Sequence, residues 1–151
     1  MPQNRFDWHE RIKAIEREYR SVRMAVDRLL EQAAHKPDVL GKGARPADLL
    51  SADENLQGTY LIRMFAEFET ALRSYWATIK PNARIQAEAL INNIGTKRSI
   101  PVSVINATHA ARMWRNSLVH HRDEENSDMT IERARHQLAT FLARLPITWG
   151  G

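Results

Sequence analysis

The chain has 151 residues, 43% of them hydrophobic and 26% charged, and no cysteine. That length supports one domain with its own core, and the missing thiols exclude disulfides, thiolate metal sites and a cysteine nucleophile. A net charge of +4 and a pI of 9.8 are compatible with an anionic partner such as nucleic acid but define none. No apolar run has the length of a membrane span or the form of a secretory signal, so a cytoplasmic location away from membranes is expected.

The first helix is predicted over residues 7–32. There Trp8, Ile12, Ile15, Tyr19, Val22, Val26, Leu29 and Ala33 recur at spacings of four and three. Glu16 and Arg20 fall on its polar side in the favourable i,i+4 order. An irregular connector is expected over 35–53, punctuated by Pro37, Gly41, Gly43 and Pro46. Gly41-Lys42-Gly43 lacks the glycine spacing and the Lys-Ser/Thr pair of a phosphate loop. Asp53 is the expected N-cap of a second helix, whose stripe Leu61, Phe65, Phe68, Leu72, Tyr75 and Ile79 is widened by Met64, Ala71 and Trp76. That width predicts a central helix, stopped at Lys80-Pro81.

A third, shorter helix is expected over 83–93, with Gly95 as its C′ residue. Ser103 is the expected cap of a fourth helix over 104–119. After it come a charged break over 121–128 and a fifth amphipathic helix over 129–145, ended by Pro146. Strand alternation is absent throughout. The expectation is one all-α domain over 1–151, an up-down bundle of four to five helices.

The fourth helix has two patterned faces. Val104, Ala107, Ala111, Trp114 and Leu118 form the inward stripe, while His109, Met113, Asn116 and His120 line the other side. Imidazole, thioether and amide groups are an unusual solvent face and predict a second burial, against the bundle or another copy of the chain. The stretch Arg112-Met113-Trp114-Arg115-Asn116-Ser117-Leu118-Val119-His120-His121-Arg122 crowds guanidinium, amide and imidazole groups onto one segment. Arg115 and His120 are five residues apart, roughly 140° around an ideal helix. They converge only if Arg115 reaches round, the helix ends near His120, or a symmetry mate brings two faces together.

Arg115-Asn116-Ser117-Leu118-Val119-His120 resembles the Arg-x4-6-His signature of the HEPN superfamily. The resemblance implies an all-α, typically homodimeric bundle and, for many members, metal-independent endoribonuclease activity, often as toxins or antiphage effectors with a composite cleft between two motifs. The bare string also occurs at Arg28 with His35 and at Arg115 with His121. The polar Asn116 after Arg115, the position late in the penultimate helix, and the charged break and final helix that follow single out Arg115 with His120. A toxin subgroup carries Tyr two places after the His, where this chain has Arg122.

RNA cleavage by 2′-OH attack needs a base, an acid and a cation for the charge on phosphorus. Imidazole titrates near neutrality and suits either proton-transfer role, which His120 would fill. Arg115 offers a planar fork to phosphate oxygens, and Asn116 could orient His120 or donate to substrate. His121, Arg112, Arg122 and Glu69 are further candidates for support or RNA contact. In simpler terms, His120 and His121 could cap the helix C-terminus, Arg115 could ion-pair with Glu67 or Glu69, and His109 could be a satisfied polar group in a helix contact. No His-x3-His pair or acidic cluster has metal-ligand spacing, so neither metal nor cofactor is expected. The expected partners are RNA, a second copy and, in a toxin, a cognate antitoxin protein. The alternatives are a non-catalytic RNA- or nucleotide-binding module and a structural helical interaction protein.

Overall fold

The computed structural model describes residues 2–120 and 129–150. Five α-helices pack together, with no sheet among the described residues: α1 Arg5–His35, α2 Pro46–Ala77, α3 Ala87–Lys97, α4 Val102–Val119 and α5 Ile131–Leu142. The expected charged break over 121–128, with His121 and Arg122, lies outside the described residues. Among the described residues, no helix is long and apolar enough to cross a membrane.

As its wide stripe predicts, α2 is the central helix, touching all four others. Its buried Leu61, Met64, Phe65, Phe68, Ala71 and Leu72 face Trp8 and Ile12 of α1, Leu90, Ile91 and Ile94 of α3, and Leu138 and Phe141 of α5 in one core. Helix direction follows from the cross-pairs. Between α1 and α2, Arg11 meets Glu67, Glu18 meets Arg63, Tyr19 meets Tyr60 and Arg23 meets Asp53, so one number rises as the other falls. Between α3 and α4, Glu88 meets Arg112, Asn92 meets His109 and Gly95 meets Ile105, again antiparallel.

Several boundaries differ from the sequence expectation. α2 starts at Pro46, well before Asp53, because Pro at the first helical position sacrifices no hydrogen bond and its fixed φ suits a helix. The irregular connector therefore shrinks to 36–45, which includes a short 3-10 turn at Pro37–Leu40. Asp53 is not a cap; its carboxylate pairs with Arg23 across the hairpin. Ser103 lies inside α4, which begins directly after the connection at 98–101, and Pro101 takes the N-cap position. Gly95 lies inside α3, where a side chain would stand only 2.6 Å from Ile105 Cδ1, so the glycine serves close packing and not termination. At α5, Thr130 supplies the cap, its hydroxyl accepting from Arg133 N at 3.1 Å.

Glu16 departs most from expectation. It is 4% exposed, not on a solvated face, and holds Arg20 of its own helix and Arg135 of α5, the latter at 2.5 Å. The chain ends are clasped as well. Arg5 N donates to Ile147 O at 3.0 Å and Trp149 N to Gln3 O at 2.8 Å, while the Arg5 guanidinium caps α5 through Ala143 O and Leu145 O. Trp149 is buried edge-on against Tyr75, its indole donating to Ser74 Oγ at 3.0 Å. Trp8, Trp76 and Trp149 are all buried, which fits packing and not base stacking.

The hairpin continues past this core. α1 has no fully buried residue after Tyr19, although Val22 and Val26 still pack on the core, and α2 has none before Leu56, leaving residues 27–35 and 46–55 as a two-helix extension.

Candidate functional site

The end of α4 is brought against α2 by local sequence. Gly58 leaves room for Leu118, whose methyl carbon would stand 3.0 Å from a Cβ placed there. Thr108 and Ser117 are buried polar residues that the apolar stripe did not predict. Each hydroxyl donates back to its own helix, to Val104 O at 2.9 Å and Trp114 O at 2.7 Å, so burial leaves neither unsatisfied. Ala111 is fully buried, and Val104, Trp114 and Leu118 pack against the core from partly buried positions, as the inward stripe predicts.

A cleft of about 310 Å3 opens between α2, α4 and the start of α3, lined by Glu69, Arg73, Gln86, Ala87, Glu88, Arg112, Arg115, Asn116 and His120. Five of the seven residues nominated from sequence thus share one concavity; the other two, His121 and Arg122, lie outside the described residues. α4 ends at Val119 and His120 is its C-cap, its N–H donating to Asn116 O at 3.0 Å. His120 keeps the helical bond of a continued turn, and it and Arg115 line the same cleft from different positions around α4.

Arg115 is held from three directions. Its Nη1 donates to Asn116 Oδ1 at 2.8 Å, its Nη2 lies 3.6 Å from Glu69 Oε2, and its guanidinium stacks 5.4 Å from the Phe65 ring centre. The ion-pair partner anticipated for Arg115 is thus Glu69, while Glu67 pairs with Arg11 on the α1 side. Glu69 also receives Arg73 at 2.5 Å, and Arg73 reaches on to Ile85 O at 2.8 Å. Asn116 spends its carbonyl oxygen on Arg115 and not on His120, which leaves the amide nitrogen as a donor for a ligand. The His120 side chain is exposed and has no hydrogen-bond partner among the described residues. Its C-cap position also fits the simpler capping role.

On the α3 side, His109 Nε2 lies 2.7 Å from Asn92 Oδ1, and His109 Nδ1 accepts from Arg112 Nε at 3.1 Å. His109 is thus a satisfied polar residue in a helix contact. Burial, then the neighbouring Arg112 charge, hold its pKa below the ordinary imidazole value, with Glu88 opposing in part. The predicted second face of α4 is only partly covered: Met113 remains 48% exposed beside the motif.

Arg73 and Glu88 were missed from sequence. Arg73 follows Glu69 by four, the same ion-pair order that marked Glu16 and Arg20, and could have been found from it. Glu88 and Asn92 carry no such local signal, because their partners lie on another helix. Among the described residues, no group of three or more His, Asp or Glu side chains is arranged to hold a metal ion.

No family model matches the chain, and no curated protein or solved structure matches it.

Proposed function

We propose that the chain is a metal-independent endoribonuclease of the HEPN type, an up-down helical domain that works as a homodimer with a composite cleft. The observation that carries this is the convergence of Arg115, Asn116 and His120 in one concave site bordered by Arg73 and Arg112. His120 takes the 2′-OH proton, and the oxygen attacks phosphorus. The bond from phosphorus to the 5′-oxygen breaks, and a second imidazole, His120 of the other copy, protonates the leaving oxygen. Arg115 and the Asn116 amide stabilise the charge on the phosphorane oxygens. Exposed Met113 and Val119, at 48% and 44%, border the motif and offer apolar area to a second copy.

The test is cleavage of single-stranded RNA in excess chelator. Products ending in 2′,3′-cyclic phosphate, lost in His120→Ala, support the proposal; wild-type rates in that variant sink it. A protein that sediments as a monomer at micromolar concentration counts against the composite site. In a toxin or antiphage role, expression arrests growth, His120→Ala relieves the arrest, and a cognate antitoxin would be a separate chain.

A second reading is a non-catalytic RNA- or nucleotide-binding module. It is favoured by Glu69, which already neutralises Arg115, and by the single imidazole that one copy contributes to the cleft from the described residues. A mobility shift without cleavage supports it.

A further inference from the structure

Resting on the phosphodiester reading of the same cleft, we propose that Arg112 forms a second phosphate subsite beside Arg115, and that His109 is the positioning residue that aims it. The Arg112 side chain is only 15% exposed, yet among the described residues its sole hydrogen bond runs from Nε to His109. Its Nη2 lies 3.7 Å from Glu88 Oε2, beyond hydrogen-bond reach, and the Glu88 side chain is 64% exposed and free to swing away. The guanidinium is mostly covered, yet its Nη donors make no protein hydrogen bond among the described residues, so they are available to a phosphate, which the planar fork can hold bidentately.

Two anions fit better than one. Arg112 and Arg115 are one turn apart, with Cβ atoms separated by about 5–6 Å. They are pulled to opposite walls: Arg115 toward Glu69 and Phe65 of α2, Arg112 toward Glu88 of α3 and His109. Held toward different walls, the two guanidinia mark two separate positions for negative charge. The cleft of about 310 Å3 is narrow, and the two cations on it suit the phosphates of one extended strand better than a duplex. The ligand class is therefore a single strand with at least two consecutive phosphodiesters.

His109 sets the aim through its tautomer. To accept from Arg112 at Nδ1 it carries its proton on Nε2, where Asn92 Oδ1 accepts it. The charged groups acting locally are Arg112 from α4 and Glu88 from α3, and burial with Arg112 keeps the ring neutral. A protonated ring would turn an N–H toward Arg112 Nε–H and release it.

The test uses 2′-O-methyl trinucleotides, which cannot be cut by 2′-OH attack, with the second linkage either a phosphodiester or an uncharged methylphosphonate. Wild type is expected to bind the charged version about tenfold more tightly, the least that one charge-assisted contact supplies. Arg112→Ala and His109→Phe abolish the difference, while His109→Gln, whose amide oxygen can accept from Arg112, restores it. Melting temperatures of the three variants identify any that fail to fold, and Arg112→Ala alone suffices for the decision. Equal binding of the two trinucleotides by wild type, or discrimination that survives in Arg112→Ala, overturns the subsite. Cleavage of ordinary RNA is scored separately. Discrimination without cleavage upholds the subsite and sinks the nuclease proposal, and cleavage without discrimination does the reverse.

Discussion

Arg28 with His35 and Arg115 with His120 satisfy the same short pattern, and each pair borders a concavity. The one near Arg28 is the larger, about 550 Å3 against about 310 Å3. Size is not what separates them. Arg28 and His35 sit on the part of α1 that has outrun the core, both exposed, and neither side chain has a hydrogen bond or ion pair among the described residues. Arg115 and His120 sit where three helices meet, and Arg115 is fixed by Glu69, Asn116 and Phe65. Electrostatic catalysis depends on donors already pointing where charge will develop, because a group that must first be ordered spends its interaction energy on ordering. An arginine on an unpacked helix end meets none of that requirement.

The comparison can be broken by paired substitutions. The largest expected effect is on cleavage: His120→Ala should lower kcat by about 10²–10⁴-fold, the usual range for a proton-transfer group, while His35→Ala leaves it unchanged. Equal losses, measured by gel-resolved cleavage of a labelled RNA, would erase the distinction. Next, Arg115→Ala should reduce kcat/KM by about 10²-fold or more, with Arg115→Lys recovering only part because the planar fork is lost, and Arg28→Ala should have no effect.

Stability gives a third contrast. Glu69→Ala strips Arg73 and Arg115 of their shared carboxylate and is expected to cost about 1 kcal/mol in urea unfolding, since both arginines remain partly hydrated. Glu31→Ala, on the exposed end of α1, should stay within about 0.5 kcal/mol.

The smallest effect is a pH dependence. His109 has a folded pKa below its unfolded value of about 6.5, so near that pH the unfolded chain binds more protons. The stability contributed by the neutral ring is complete above that value and is lost as pH falls toward the lower folded pKa. His9 shifts the same way, chiefly through burial, with Lys13, Arg5 and Arg135 adding to it. Urea midpoints measured between pH 7.5 and 5.5 should therefore fall, and fall less in His109→Gln. An unchanged slope in that variant would assign the dependence to His9 and other groups.

Much of the architecture was legible from periodicity. The apolar stripes of α1, α2, α4 and α5 named residues that do face the core, and the breadth of the α2 stripe marked it as the central helix. Pro46 was misjudged because proline breaks a helix interior but is welcome at its first turn, and spacing alone does not say which applies. Thr108 and Ser117 escaped because a hydroxyl satisfied by its own helix can be buried without any outward sign in sequence. At the cleft, Arg115, Asn116 and His120 were visible as neighbours in the chain, and Glu69 as an acidic residue beside Phe68.

Spacing within one helix determined what could be near what along that helix, and it left Arg115 and His120 about 140° apart. The pattern of the chain also placed the end of α4 at Val119, and only the tertiary structure decided that Gly58 lets this end settle onto α2. It alone set Glu69 and Phe65 beneath Arg115, and Asn92 and His109 behind Arg112. The physical reason is range. Helical periodicity is a local property of the backbone, whereas the groups that orient a guanidinium or fix a tautomer come from other helices, brought together by burying a shared core.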